Sequence, residues 1–199
     1  MHKATFWKSA AVVTLSLSAG GIFGWWSAVP SIDSATTLSF AVQLSTQGIF
    51  SSVRLHFLKY VLCNNFATLA TLYSYGVVSG GLSAVFFCFT QGVRVGAIMH
   101  NTQSNAHGAM IGAILMIPHG IPELASFIIA SSSVLCLWHE LLRMAVSEAP
   151  GPNAKAISTG LLRVNSLAAI FLFAAALVEA YVTPALGTWI AHVRGLYNG

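Results

Sequence analysis

Long apolar runs alternate with short polar segments along this chain, a pattern that predicts membrane-crossing helices. A helix needs about 20 mostly apolar residues to cross the hydrocarbon core of a bilayer. The chain has such runs at Ala10 to Val29, His56 to Val77, Leu82 to His100 and Asn165 to Pro184. We therefore predict an all-α protein, a polytopic transmembrane helical bundle.

A further run, from Gly108 to Arg143, is about twice as long as one crossing requires. Pro118, Gly120 and Pro122 interrupt it. Proline cannot donate the backbone hydrogen bond that a helix interior needs. We therefore expect a broken or re-entrant helix at Pro118 to Pro122, and about five spans in the whole chain.

Polar segments separate the apolar runs. Ser31 to Val53 is rich in Ser, Thr and Gln and almost uncharged, which is typical of a loop with a short interfacial helix. Asn101 to His107 and Ser147 to Thr159 have the composition of surface loops. The first run is longer than the apolar region of a signal peptide, so we expect an uncleaved first helix. Residues 1–199 are predicted to form a single transmembrane domain.

The composition excludes a soluble enzyme. Only 7% of the residues are charged and 56% are hydrophobic, with a mean hydropathy of +0.75. Soluble domains carry about 25% charged residues. The formal charge of +4 therefore indicates orientation in a membrane, and we expect a lipid bilayer and no nucleic acid as partner. No cofactor is expected.

The positions of the basic residues predict how the chain is oriented. Lysine and arginine are enriched on the cytoplasmic side of membrane proteins. That rule places the N-terminus on the cytoplasmic side of the membrane and, after five crossings, the C-terminus outside. We expect that membrane to be the cell membrane of a prokaryote. Arg54 and Lys59 fall on the outer side and argue against this orientation. The residues that favour it are Lys3, Lys8, Arg143, Lys155 and Arg163.

Ionisable residues inside the apolar runs are the candidate functional groups, because charges at bilayer depth are costly and usually face a bundle interior or a cavity. His119 and Glu123 lie four residues apart and would share a helix face. Glu179 has no cation near it in the sequence, so its partner must come from another helix. The candidate partners are His119, Arg94, Asn64 and Asn65.

Three interpretations of these groups stay open. They could form a buried polar network that holds the interrupted helix against its neighbours. They could line a proton or ion path. A metal site would use His119, Glu123 and Glu179, with His107 or His100 as further ligands, but the chain has no His-Glu-x-x-His motif.

Small residues also recur four positions apart, a spacing that lets helix backbones approach closely. We expect these faces to pack helices together and to support a homodimer or a hetero-complex with other membrane proteins. The pairs are Gly20 and Gly24, Gly76 and Gly80, Gly92 and Gly96, and Gly108 and Gly112.

Two of the polar segments resemble the stage II sporulation protein M (SpoIIM) family. One is Ile117-Pro118-His119-Gly120 with Glu123, and the other is Ala176-Leu177-Val178-Glu179-Ala180 with Thr183-Pro184. A third, weaker match is an asparagine in the second span followed by a glycine-rich third span. Gln91 stands where the family is expected to have asparagine. The resemblance covers residues 57–184.

The resemblance implies an integral membrane protein, and it is better evidence for the fold than for the function. The founding member of that family is a scaffold that recruits peptidoglycan-degrading partners to the septal membrane, and relatives occur in prokaryotes that do not sporulate. We therefore expect a scaffold or a subunit of a membrane complex. The alternative is a channel or transporter for an ion or small solute, and a metal-dependent intramembrane hydrolase is a more distant one.

Overall fold

The structure, a computed structural model, describes residues 3–27, 42–48, 50–103, 106–146 and 154–193. Within these ranges the chain is helical and contains no strand. The long elements, in chain order, are α1 (Lys3–Ser27), α2 (Ser52–Val78), α3 (Leu82–Gln103), α4 (Ala106–Val146), α5 (Ala154–Leu177), a π-helical turn (Val178–Val182) and α6 (Thr183–Val193).

Four stretches in the described part of the chain are long and apolar enough to cross a membrane. They are Ala4–Ser27, Leu82–His100, Ile111–Val146 and Ile157–Ile190. The predicted all-α, membrane-spanning bundle is confirmed. Helix α2 is long but more polar, with Arg54, Lys59 and two asparagines, so a fifth span there stays a prediction.

The structure does not show the expected break at Pro118 to Pro122. Helix α4 continues through both prolines and is 41 residues long. Each proline removes one backbone donor, which leaves the carbonyl groups of Ile114 and Pro118 without their usual partners. Membrane helices tolerate such gaps where neighbouring helices cover them. Helix α6 and the π turn pack against α4, and Ile190 of α6 lies beside Ile111 and Leu115 of α4.

The irregular backbone lies instead in the last span, next to Glu179. The π turn Val178–Val182 separates α5 from α6, and the N–H of Thr183 donates to the carbonyl of Val178. Pro184 follows directly and has no N–H, so the α-helical ladder cannot continue there unchanged. Single π turns of this kind widen a helix locally and are frequent at functional sites.

Contacts between helices that are distant in sequence define one end of the bundle. Ser9 of α1 contacts Cys136 of α4, and Trp138 of α4 donates its indole N–H to the carbonyl of Gly76 in α2. The start of α1 and the ends of α2 and α4 therefore lie together, with the start of α5. We call this the basic end, since Lys8, Arg143 and Arg163 are near it; the side chains of Lys3 and Lys155 lie outside the described part.

The glycine pairs of α1 and α3 interlock within one chain. A Cβ on Gly20 would overlap the carbonyl of Phe89, and one on Gly92 would overlap the carbonyl of Leu17. Gly24 and Gly96 make equivalent approaches one turn further along. The glycine faces of α1 and α3 therefore pack against each other within one chain, so they are not available to a second copy of the protein. The surroundings of Gly108 lie outside the described part.

The apolar core lies between α2, α3, α4 and α5. Its buried residues come from all four helices, so every one of them loses apolar contacts if another is displaced. They are Leu69, Leu72, Ala84, Phe127, Ala130, Val134, Ala168 and Leu172.

Candidate functional site

The two motifs that resemble the SpoIIM family meet in space. The Nδ1 atom of His119 lies 3.3 Å from the hydroxyl oxygen of Thr183, within hydrogen-bond distance. His119 is on α4 and Thr183 begins α6, 64 residues later in the chain. Both side chains are half-buried. This contact joins the proline-bearing part of α4 to the π turn.

Three charged groups lie on the elements that make this contact or pack against them. Glu123, one turn beyond His119 on α4, lies within electrostatic reach of Arg94 on α3. Glu179, in the π turn, lies within electrostatic reach of Glu123. We call Arg94, His119, Glu123, Glu179 and Thr183 the carboxylate cluster. It draws on α3, α4, the π turn and α6.

The backbone of the π turn directs its side chains to two different neighbours. Glu179 and Thr183 are four residues apart and face α4, where His119 and Glu123 lie. Tyr181 points to α2, because the guanidinium carbon of Arg54 lies 5.5 Å from its ring centroid. The turn therefore links the carboxylate cluster on one side with a buried arginine on the other.

Exposure differs sharply among the predicted residues. Arg94 is exposed on α3, whereas Glu123 and Glu179 are half-buried. Asn65 is buried in α2 at 6% exposure, and its neighbour Asn64 faces outward. Of the two asparagines, only Asn65 can contribute to the interior of the bundle. Gly120 is also buried, and an added Cβ would meet only the flexible side chain of Met116.

The described residues form no group of three or more histidine, cysteine or acidic side chains that could hold a metal ion. His119, Glu123 and Glu179 are neighbours without metal-ligand geometry. The rings of His100 and Trp25 pack edge to face, with their centroids 5.5 Å apart. The side chain of His107 lies outside the described part.

A second polar network, absent from the sequence prediction, joins three helices nearer the basic end. The hydroxyl of Tyr73 in α2 donates to Oδ1 of Asn165 in α5, and it lies 3.1 Å from the Ser133 hydroxyl of α4. The Ser133 hydroxyl is 3.0 Å from the same Asn165 oxygen. The run Ser131-Ser132-Ser133 inside an apolar helix was the signal for this network, and all three serines are fully buried.

Arg54 is the other residue that the sequence prediction missed, having treated it only as a marker of orientation. Its side chain is buried, at 6% exposure. Its Nη2 atom donates to the carbonyl of Leu44 at 2.6 Å and to that of Gln47 at 3.1 Å. These bonds attach residues 42–48, which include a short helical turn at 42–45, to the start of α2. Residues 31–41 and 49 of the predicted loop lie outside the described part.

The fold and the buried polar side chains define a polytopic helical membrane protein. Residues 13–184 match the family description "Stage II sporulation protein M", so the chain belongs to that family. The match begins inside α1, earlier than the 57–184 region expected from the motifs. An uncharacterized protein of Methanocaldococcus jannaschii is 22% identical over 130 residues, which are 65% of this chain and 72% of that protein. No solved structure matches the chain.

Proposed function

We propose that this protein is a non-enzymatic subunit or scaffold of a membrane complex, and that it binds its partner in the membrane through the face that carries Arg94. The observation that carries the proposal is the exposure of Arg94 inside the apolar stretch Leu82–His100. A charged side chain within a span costs roughly 2.5–3.5 kcal/mol on insertion scales. Such residues usually face protein or water.

The neighbouring carboxylates do not remove this cost within the chain. Glu123 is within electrostatic reach of Arg94, but the two form no ion pair within 4.0 Å among the described residues; the pair found there is Glu140 with Arg143. A partner helix that covers the face would shield Arg94 from lipid. It would also bring Arg94 and Glu123 into a less polar environment, where their attraction is stronger.

The occupant of this face is another membrane protein. We predicted a homodimer or a hetero-complex, and the proposal includes both. The glycine faces of α1 and α3 are already packed against each other, so the partner surface has to lie elsewhere on the bundle. The helix that carries Arg94 also has exposed apolar side chains, such as Phe86 at 65% exposure, which a partner helix could cover.

The proposal is tested by native mass spectrometry of protein extracted gently from its own membrane. We expect a companion chain, or a second copy, at fixed stoichiometry. Arg94→Leu should raise the dissociation constant of the complex at least tenfold, which corresponds to about 1.4 kcal/mol. Arg163→Leu is the matched control, because Arg163 is exposed at the basic end, and it should leave the complex intact. A wild-type protein that is monomeric and without companion overturns the proposal.

A second candidate function, a proton or cation path, is favoured by one observation. Glu123 and Glu179 lie within electrostatic reach of each other, beside the His119 to Thr183 contact. Clustered carboxyl and imidazole groups within a span are the groups that proton relays use. Measurements of proton or cation flux in proteoliposomes separate the two candidates. A relay predicts flux through the wild type that Glu179→Gln abolishes. A docking face predicts no flux through either protein.

A further inference from the structure

Arg54 lies at the N-terminal end of α2 as a buried cation. Side chains of a helix lean toward its N-terminus, and the two carbonyls that Arg54 binds, those of Leu44 and Gln47, precede the helix cap Ser51. The guanidinium therefore lies beyond the first turn of a 27-residue helix, where the backbone dipole is also positive. Two sources of positive potential coincide at this point.

The hydrogen bonds of this guanidinium are incomplete. Nη2 uses its hydrogens on two neutral carbonyl groups. The Nε atom is fully buried and has no hydrogen-bond partner among the described residues. A buried donor without an acceptor is unfavourable, and more so when it is charged. The Tyr181 ring below the guanidinium offers a cation–π contact, which does not provide an acceptor for Nε.

The charge has no counter-ion in the described part of the chain. No carboxylate there lies within 4.0 Å of Arg54, the ion pair found being that of Glu140 with Arg143. Glu179 belongs to the opposite face of the π turn, toward Glu123. A buried, unpaired charge is strongly unfavourable, so the site calls for an anion from outside these residues.

We propose that Arg54 and the N-terminus of α2 form a binding site for an oxyanion of the phosphate class, held by the Nε–H group of Arg54 and by backbone N–H groups at the start of α2. The N–H of Arg54 itself is not available, because it binds the Ser51 hydroxyl. Residues 42–48 form one wall of the site, since Arg54 binds two of their carbonyls and the Thr188 hydroxyl donates to Ser45. The phosphate can belong to a lipid headgroup or be a free ion.

The surroundings of the site suit a phosphate at a membrane surface. Phe50 and Tyr60 are exposed at 83% and 69% around the start of α2, and His56 and Lys59 are exposed beside them. Helix N-termini bind phosphate groups through their backbone N–H groups and their dipole. Basic side chains between helix ends bind lipid headgroups. The site is separate from the Arg94 face, so its failure leaves the proposed function untouched.

The test measures the melting temperature of delipidated protein in detergent. One arm adds phosphatidylglycerol and the other adds inorganic phosphate, each compared with sodium chloride at matched ionic strength. We expect at least one phosphate source to raise the melting temperature of the wild type by about 5–10 °C near 100-fold excess over the dissociation constant. A response to the lipid alone identifies a headgroup site, and a response to both identifies a site for phosphate itself.

Variants assign the effect to the residue. Arg54→Gln should lose the rise, whereas Arg163→Gln, a change to an exposed arginine at the other end, should keep it. If Arg54→Gln does not fold, Arg54→Lys serves instead: it keeps the charge but lacks the Nε–H donor, and should reduce the rise at least twofold. The proposal is overturned if neither phosphate source exceeds sodium chloride in the wild type, or if a folded Arg54 variant responds as the wild type does.

Discussion

At the scale of residues, polar side chains hold together helices that lipid alone would not. The oxygen of Asn165 receives bonds from Tyr73 and Ser133, and these three residues belong to three different helices. In a membrane there is no hydrophobic driving force between helices, so packing and such bonds provide the association. Each is modest, averaging about 0.6 kcal/mol in membrane proteins, but here two converge on one oxygen.

Asn165→Leu should therefore lower the free energy of unfolding by about 1–2 kcal/mol. The change removes the shared acceptor and leaves the Tyr73 hydroxyl half-buried without that partner. Thermal unfolding in detergent measures the effect. Ser166→Ala is the control on the same helix, because the exposed Ser166 hydroxyl donates only to the carbonyl of Leu162 in its own helix. Equal melting temperatures for wild type and Asn165→Leu would contradict the stabilising role.

At the scale of elements, α1 and α3 depend on the absence of side chains along their contact. Gly20 and Gly24 face the backbone of α3, and Gly92 and Gly96 face the backbone of α1. The neighbouring atoms are carbonyl oxygens and backbone nitrogens rather than flexible side chain ends, so they cannot move aside cheaply. The close approach gives van der Waals contact over several turns, which is how small residues stabilise membrane helix pairs.

Gly92→Ala should separate the two helices. The new Cβ would overlap the carbonyl of Leu17, and overpacking of this kind costs about 1–3 kcal/mol. We expect a lower melting temperature in detergent and faster proteolysis of α1. Gly48→Ala is the matched control, because an added Cβ there meets nothing within 4 Å. If both variants had the melting temperature of the wild type, the close packing of α1 against α3 would be wrong.

At the scale of the whole molecule, the helices sort the charges into two ends. The contacts of Ser9 with Cys136 and of Trp138 with Gly76 bring the start of α1 and the ends of α2 and α4 together. Lys8, Arg143 and Arg163 belong to that end. Arg54 and the π turn belong to the other. The positive-inside rule then predicts that the basic end faces the cytoplasm.

Cysteine labelling in intact cells tests this orientation. In a variant whose native cysteines are replaced, Phe50→Cys should react with a membrane-impermeant maleimide, because Phe50 is 83% exposed at the end opposite the basic one. Val146→Cys, 84% exposed at the basic end, should react only after the cells are permeabilised. The opposite labelling pattern would place the N-terminus outside and remove the positive-inside argument.

Four apolar stretches, the helical class and the family could be predicted from sequence, because apolar runs are local and the motifs are contiguous. The composition of residues 117–123 also indicated a polar site, and the structure brings His119 beside Thr183 there. The predicted break at Pro118 to Pro122 was wrong, because the helix continues through both prolines. Pro118 and Pro122 alone indicate two missing donors, whereas the neighbouring helices decide whether α4 stays continuous.

Tertiary structure decided which distant groups meet. The hydrogen bonds from Arg54 to the carbonyls of Leu44 and Gln47 join segments whose sequences do not indicate that they pair. The glycine contacts between α1 and α3 involve helices about 70 residues apart in the chain. The π turn at Glu179 likewise depends on Pro184 together with the helices that pack around it. The sequence by itself determined which segments are apolar enough to cross a membrane, since that depends on local hydropathy, and packing between helices determined which polar groups face one another.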